Sequence, residues 1–111
     1  MPKRTHSYRD RLLESLTNPQ EAASYLNAAM EDSPEMFLKA IKDVAQAHQV
    51  SNVARKAGVT RESLYRSFSE RGNPTLETLR SVLRVFKLKM EIAAEDSVRK
   101  LASTTKRKAS V

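Results

Sequence analysis

The sequence predicts an all-α protein, a bundle of five to six helices, on three observations. Only two glycines occur in 111 residues, too few for the positive-φ turns that β-hairpins need. Asn18-Pro19, Ser33-Pro34 and Asn73-Pro74-Thr75 each set a capping residue beside a proline just ahead of an apolar-periodic stretch, the mark of a helix start. Apolar side chains then recur at three- and four-residue spacing along most of the chain.

Taken in order, Tyr8, Leu12 and Leu16 give a first amphipathic helix, and after Pro19 the series Ala22, Leu26 and Met30 gives a second. From Pro34, Phe37, Ile41, Val44 and Ala45 form a third stripe that ends near His48. A brief helix runs from a Ser51 cap through Val53 and Ala54 to Gly58, which is placed as a left-handed stop. Thr60 caps the next helix, with Leu64 and Phe68 four apart. Ser69 to Asn73 is a polar loop, and Thr75 opens a longer helix whose Leu76, Leu79, Leu83 and Phe86 face one way.

Beyond Phe86 two readings stay open. Leu88, Met90 and Ile92 alternate with Lys87, Lys89 and Glu91 as in a strand, which would have to take its partner from a second chain. Met90, Ala94, Val98 and Leu101 also fit a helix. Residues 103–111 carry Lys106-Arg107-Lys108 among Ser, Thr and Ala with no apolar period, and are expected to be a disordered basic tail.

Charge is divided along the chain. Residues 1–50 hold six Lys/Arg and seven Asp/Glu, net −1, whereas residues 51–111 hold fourteen and six, net +8. One end therefore presents a field suited to a polyanion, and nucleic acid is the leading partner. Zero cysteines remove thiol catalysis and every Cys-based metal site, and match a reducing cytoplasm. No apolar run reaches the roughly 18 residues of a membrane span. His6 and His48 lie in different segments, so no metal or cofactor site is expected; His48 reads as a surface residue compatible with a helix C-terminus. With no phosphate loop and no nucleophile beside a base, neither an enzyme nor a small-molecule site is expected.

The strongest signal lies in residues 51–68. Ala54 is small where two helices cross, Gly58 makes the turn, Val59 plugs the angle and Leu64 pins the second helix, with Val53 in the same core: a helix-turn-helix spacing. Arg61, Glu62, Tyr65 and Arg66 are left on the outer face, at the end that enters the major groove in proteins of this kind. Arginine suits bidentate contact with guanine, Glu62 can accept from a cytosine amino group, and the Tyr65 hydroxyl can reach a phosphate. The plainer roles are solvated charges, a dipole-favouring acid and a ring packed on a neighbour's stem. Asn52 and Thr60 sit near helix N-termini, where free amides also receive phosphates.

Residues from about 33 to 88 resemble the Cro/C1-type (Xre-like) helix-turn-helix domain, a fold of the lambda-repressor-like type. Tyr25-Leu26, Phe37-Leu38-Lys39-Ala40-Ile41, Ala54 with Gly58, Arg61-Glu62-Ser63-Leu64-Tyr65-Arg66 and Asn73-Pro74-Thr75-Leu76-Glu77-Thr78-Leu79 are similar to the HigA-like addiction-module antidotes, over roughly residues 8 to 93. The resemblance implies a DNA-binding antitoxin that neutralises a RelE/HigB-type, mRNA-cleaving toxin and represses the operon encoding both. It also implies that Arg71 and Asn73, in the loop after the recognition helix, follow the DNA backbone. The chain departs from the family pattern at Phe86-Lys87-Leu88, where members often carry Gly before the final Leu.

The expected organisation is an N-terminal helical segment over residues 1–32, a DNA-binding unit over 33–93 and the tail over 94–111. A homodimer on a double-stranded operator is expected, because one recognition helix touches too few base pairs to select a site. Two other readings remain: an Xre-type repressor without a toxin, and a protein-interaction module on a helix-turn-helix scaffold.

Overall fold

Five of the six helices in the described residues start where a short polar side chain closes the first turn. In the computed structural model, which describes residues 7–95, Asn18 accepts from the amides of Gln20 and Glu21 and opens α2 (Pro19–Asp32). Ser33 accepts from Met36 N–H and opens α3 (Pro34–Ala47). Thr75 does the same through Thr78 for α6 (Leu76–Val85). Ahead of them, Ser7 and Asp10 form a reciprocal capping box on α1 (Tyr8–Ser15). With α4 (Val50–Ala57) and α5 (Arg61–Ser67), the described residues form six helices and no strand, as the glycine-poor, proline-punctuated sequence requires. None of these helices is long and apolar enough to cross a membrane.

The third helix is central: α1, α2 and α4 all pack on it, and α4 packs in turn on α5 and α6. Leu16, Ile41, Val44, Val53, Phe68, Val82 and Phe86 are sealed from solvent in one continuous core. Three apolar residues assigned to helix stripes lie outside it. Tyr8, Met30 and Leu76 are exposed, because each sits at or near the end of its helix, beyond the neighbour its stripe packs on. Val82, outside the Leu76–Phe86 series, is fully buried instead.

One charge is buried in this interior. The Asp43 side chain on α3 is only 7% exposed. Arg9 of α1 meets its Oδ1 at 3.0 Å, and the Tyr25 hydroxyl of α2 donates to its Oδ2 at 2.6 Å. Lys39, one turn back, lies 3.8 Å away, and Arg9 also donates to Gln46 at 2.6 Å. Burial, then the bond to Asp43, pushes the Tyr25 phenol up to about 12, so it remains a donor at any physiological pH.

His48 corrects the expectation of a surface residue. It caps α3, is half-buried, and stacks on Phe86 with ring centroids 5.2 Å apart and planes at 28°. Burial lowers its pKa from the usual 6.5, helped by the charge of Lys56 and opposed by a hydrogen bond from the ring to the Leu16 carbonyl. Among the described residues no cluster of three metal-ligating side chains occurs; His6 lies outside them.

The last helix ends in a Schellman turn. Leu88 N–H donates to the Leu83 carbonyl and Lys87 N–H to that of Arg84, with Lys87 at φ 66°. Lysine thus takes the left-handed position usually given to glycine. Residues 88–94 are not helical, so the helix reading is not met from Met90 to Ala94, and they pair with no strand among the described residues; the strand reading places its partner on a second chain, and Val98, Leu101 and the basic tail lie outside the described residues.

The His48 environment makes stability depend on pH. Unfolded, the imidazole binds its proton near pH 6.5, before the folded one does. Stability is therefore complete above that value and is lost as pH falls through the lowered folded pKa. Urea midpoints between pH 8 and pH 5 should show this decline, and His48→Phe should flatten it above the carboxylate range.

Candidate nucleic-acid interface

Between α3 and α4 the chain turns through Gln49, at φ 70°, so sharply that Val50 is already helical. Ser51 is therefore inside the first turn of α4 and is not its cap, and Gln49, in the cap position, makes no side-chain cap bond. Val53 and Ala54 are buried on the inner side of this helix. On its outer part the Arg55 guanidinium donates to the Asn52 carboxamide, so a residue assigned from sequence is joined by one that was not. The signal for Arg55 was its i,i+3 spacing from Asn52 and its place, with Lys56, in a last helical turn that favours cations.

The α4–α5 turn matches its sequence. Gly58 adopts φ 79°, ψ 28°; its amide reaches the Arg55 carbonyl, and Val59 N–H the Ala54 carbonyl. Val59 packs half-buried against the core. Thr60 caps α5 by accepting from Ser63 N–H at 3.0 Å.

Two side chains, Leu64 and Phe68, hold α5 down, and both are buried. Their spacing leaves Arg61, Glu62, Tyr65 and Arg66 exposed. The Arg61 guanidinium lies over the Tyr65 ring, 5.8 Å from its centroid, a cation–π pair that restrains two long side chains on one surface. Glu62 occupies the first turn, where its charge suits the helix dipole. Across residues 50–75 there are five basic and two acidic side chains.

Arg71 and Asn73 are both exposed in the loop that follows. The loop folds back on the end of α5: Gly72 N–H donates to Ser69 O at 2.8 Å and Ser69 Oγ to Arg66 O at 2.9 Å. A Cβ on Gly72 would stand 2.0 Å from the Ser67 carbonyl oxygen, so only glycine permits this approach. Gly72 is the residue that sequence reasoning passed over; here glycine serves close packing rather than positive φ.

An all-α fold with a short, firmly seated helix exposing Arg, Glu, Tyr and Arg defines a small helical protein built around an α4–turn–α5 unit. The comparisons narrow the class. A family model described as probable addiction module antidote protein matches residues 9–94, and the chain belongs to that family. It is similar to a Haemophilus influenzae (strain ATCC 51907 / DSM 11121 / KW20 / Rd) protein described as uncharacterized, with 40% identity over 80 residues, 71% of this chain and 82% of the relative. No solved structure matches it.

Gly72→Ala should push the loop off α5 and destabilise the fold by roughly 1–3 kcal/mol, the usual cost of overpacking. Urea unfolding checks this. An unchanged midpoint would mean that the loop yields freely and that Arg71 is not held in place.

Proposed function

We propose that the chain is a sequence-specific DNA-binding antitoxin. It neutralises a RelE/HigB-like toxin by stoichiometric binding and, as a homodimer in the cytoplasm, represses the operon encoding both. Membership of the antidote family supports the antitoxin half. The observation that carries the DNA half is the outward face of α5, where four exposed side chains ride on a helix whose other side is locked into the core by Leu64 and Phe68. A helix held in this way can enter a major groove without losing its packing.

In this reading α4 and α5 are a helix-turn-helix of the lambda-repressor-like type, within a DNA-binding unit over residues 33–93. Arg61 and Arg66 read bases, Glu62 and Tyr65 complete the reading surface, and Asn52, Thr60, Arg71 and Asn73 hold phosphates. The exposed carboxylates Asp10, Glu14, Glu21, Glu31 and Asp32 of α1 and α2, set against Lys3, Arg4, Arg9 and Arg11 in residues 1–32, offer a modest complement to a basic RNA-cleaving toxin. Neutralisation by binding needs no chemistry from the chain, which acts as a non-enzyme.

Titrations of operator and random duplex across a salt series test the DNA half. Arg61→Ala or Arg66→Ala should cost on the order of 1–3 kcal/mol on the operator and much less on random DNA, because only base contacts carry sequence information. Arg71→Ala should weaken both alike and reduce the salt slope by about one ion per subunit. Equal losses on both duplexes for Arg61→Ala and Arg66→Ala would overturn the assignment.

Co-expression with the product of the adjacent gene tests the antitoxin half. The chain should restore growth and co-purify with that product in fixed stoichiometry. Changing Glu14, Glu21, Glu31 to Gln and Asp32 to Asn together should weaken rescue and leave operator affinity intact. Rescue at full strength by this variant would remove α1 and α2 from the toxin surface.

A further inference from the structure

We propose that residues 88–92 form the seam of the dimer. Two copies pair this segment antiparallel about a two-fold axis at Met90, and the resulting two-stranded ribbon covers the apolar groove beside α2 and α6. The proposal rests on the homodimer reading above.

Three observations carry it. From Leu88 to Ala94 the chain has no turn or bend, and among the described residues no backbone amide from Lys89 to Ala94 donates to another backbone carbonyl. Such a stretch is an open strand edge, a template for a second strand. Secondly, two of its three apolar side chains are uncovered, while Leu88 packs half-buried on the core. Ile92 is 100% and Met90 43% exposed, and they line one groove with Leu26, Phe37, Leu88 and Met30, the last itself 51% exposed.

Thirdly, the segment is complementary to itself. Lys89 Nζ and Glu91 Oε2 are 3.6 Å apart, so two residues at i,i+2 lie on one side, as in extended chain. With Met90 facing its own copy, Leu88 of one strand opposes Ile92 of the other and Lys89 opposes Glu91, twice by symmetry. Every cross-strand pair is then apolar with apolar or cation with anion, the pairs that stabilise an antiparallel ladder. A toxin surface would not require this palindromic order, and it selects a second copy as the occupant. A two-stranded ribbon alone is marginal in water, but here its apolar face has a groove to rest on.

Lys89 and Glu91 are both well exposed, so charge variants leave the fold intact. In sedimentation equilibrium on the full chain, Lys89→Glu and Glu91→Lys should each weaken dimerisation by about tenfold, since two attractions become two repulsions. Mixing the two variants should restore wild-type affinity as a heterodimer. Met90→Cys, in a chain with no other cysteine, should cross-link on mild oxidation, because directly opposed Cα atoms lie about 4.5–5.5 Å apart, within disulfide reach. Leu76→Cys, exposed on α6, should not.

A dimer indifferent to both charge changes, or variants that mixing does not rescue, would overturn the ribbon; operator binding by that dimer would leave the DNA reading standing. A wild-type chain that stays monomeric at high concentration and on operator DNA would overturn the homodimer reading and the ribbon together. Loss of toxin capture with an unchanged dimer would assign the groove to the toxin and overturn the proposal.

Discussion

The fold turns on a single carboxylate that has left water. An ionised group in a low-dielectric interior is tolerated only when its oxygens are occupied, and Asp43 meets that condition with groups from two other helices, Arg9 of α1 and Tyr25 of α2. Apolar packing alone would let α1 and α2 slide along α3 at modest cost. The hydrogen-bonded acid admits few registers, because a slip of one turn would strand it. Leu16, Ala22 and Leu26 are carried into the core by the same arrangement, and His48, bonded to the Leu16 carbonyl and stacked on Phe86, joins the first helix to the last.

What the sequence made legible is what local chemistry decides. Asn18, Ser33, Thr60 and Thr75 cap helices, and Gly58 ends one, because a short polar side chain or a missing Cβ acts within a few residues of itself. Periodicity located the inner faces of the helices through Ile41, Val44, Leu64 and Phe68. It could not tell where a neighbouring helix stops, which is why Tyr8, Met30 and Leu76 lie in solvent. Nor does composition mark a polar residue that crosses into the core: Asp43 and His48 acquire their surroundings from residues 18 to 38 positions away. The Ser7–Asp10 capping box was readable in principle, as a short S-x-x-D pattern before an apolar stripe.

The exposed face of α5 was legible for the complementary reason. Once Leu64 and Phe68 are assigned inward, helical geometry leaves Arg61, Glu62, Tyr65 and Arg66 outward without any knowledge of the rest of the molecule. Arg55 and Gly72 were not, since their roles depend on contacts with Asn52 and with the carbonyl of Ser67 that only the folded backbone creates. Glu21, Glu31 and Asp32, with no base beside them on α2, and Arg55 and Lys56, with no acid beside them on α4, give these two helices opposite charge.

Lys87 has a consequence of a mechanical kind. Glycine after a helix admits many exit directions, whereas an L residue at φ 66° occupies one narrow well, so the chain leaves α6 along a restricted path. In the proposed two-fold assembly that path, together with the packing of α6 on α4, sets how far apart the two α5 helices stand. Successive major grooves on one side of DNA repeat at about 34 Å, and were the proposed dimer to span two of them, this lysine would be the joint that fixes its reach.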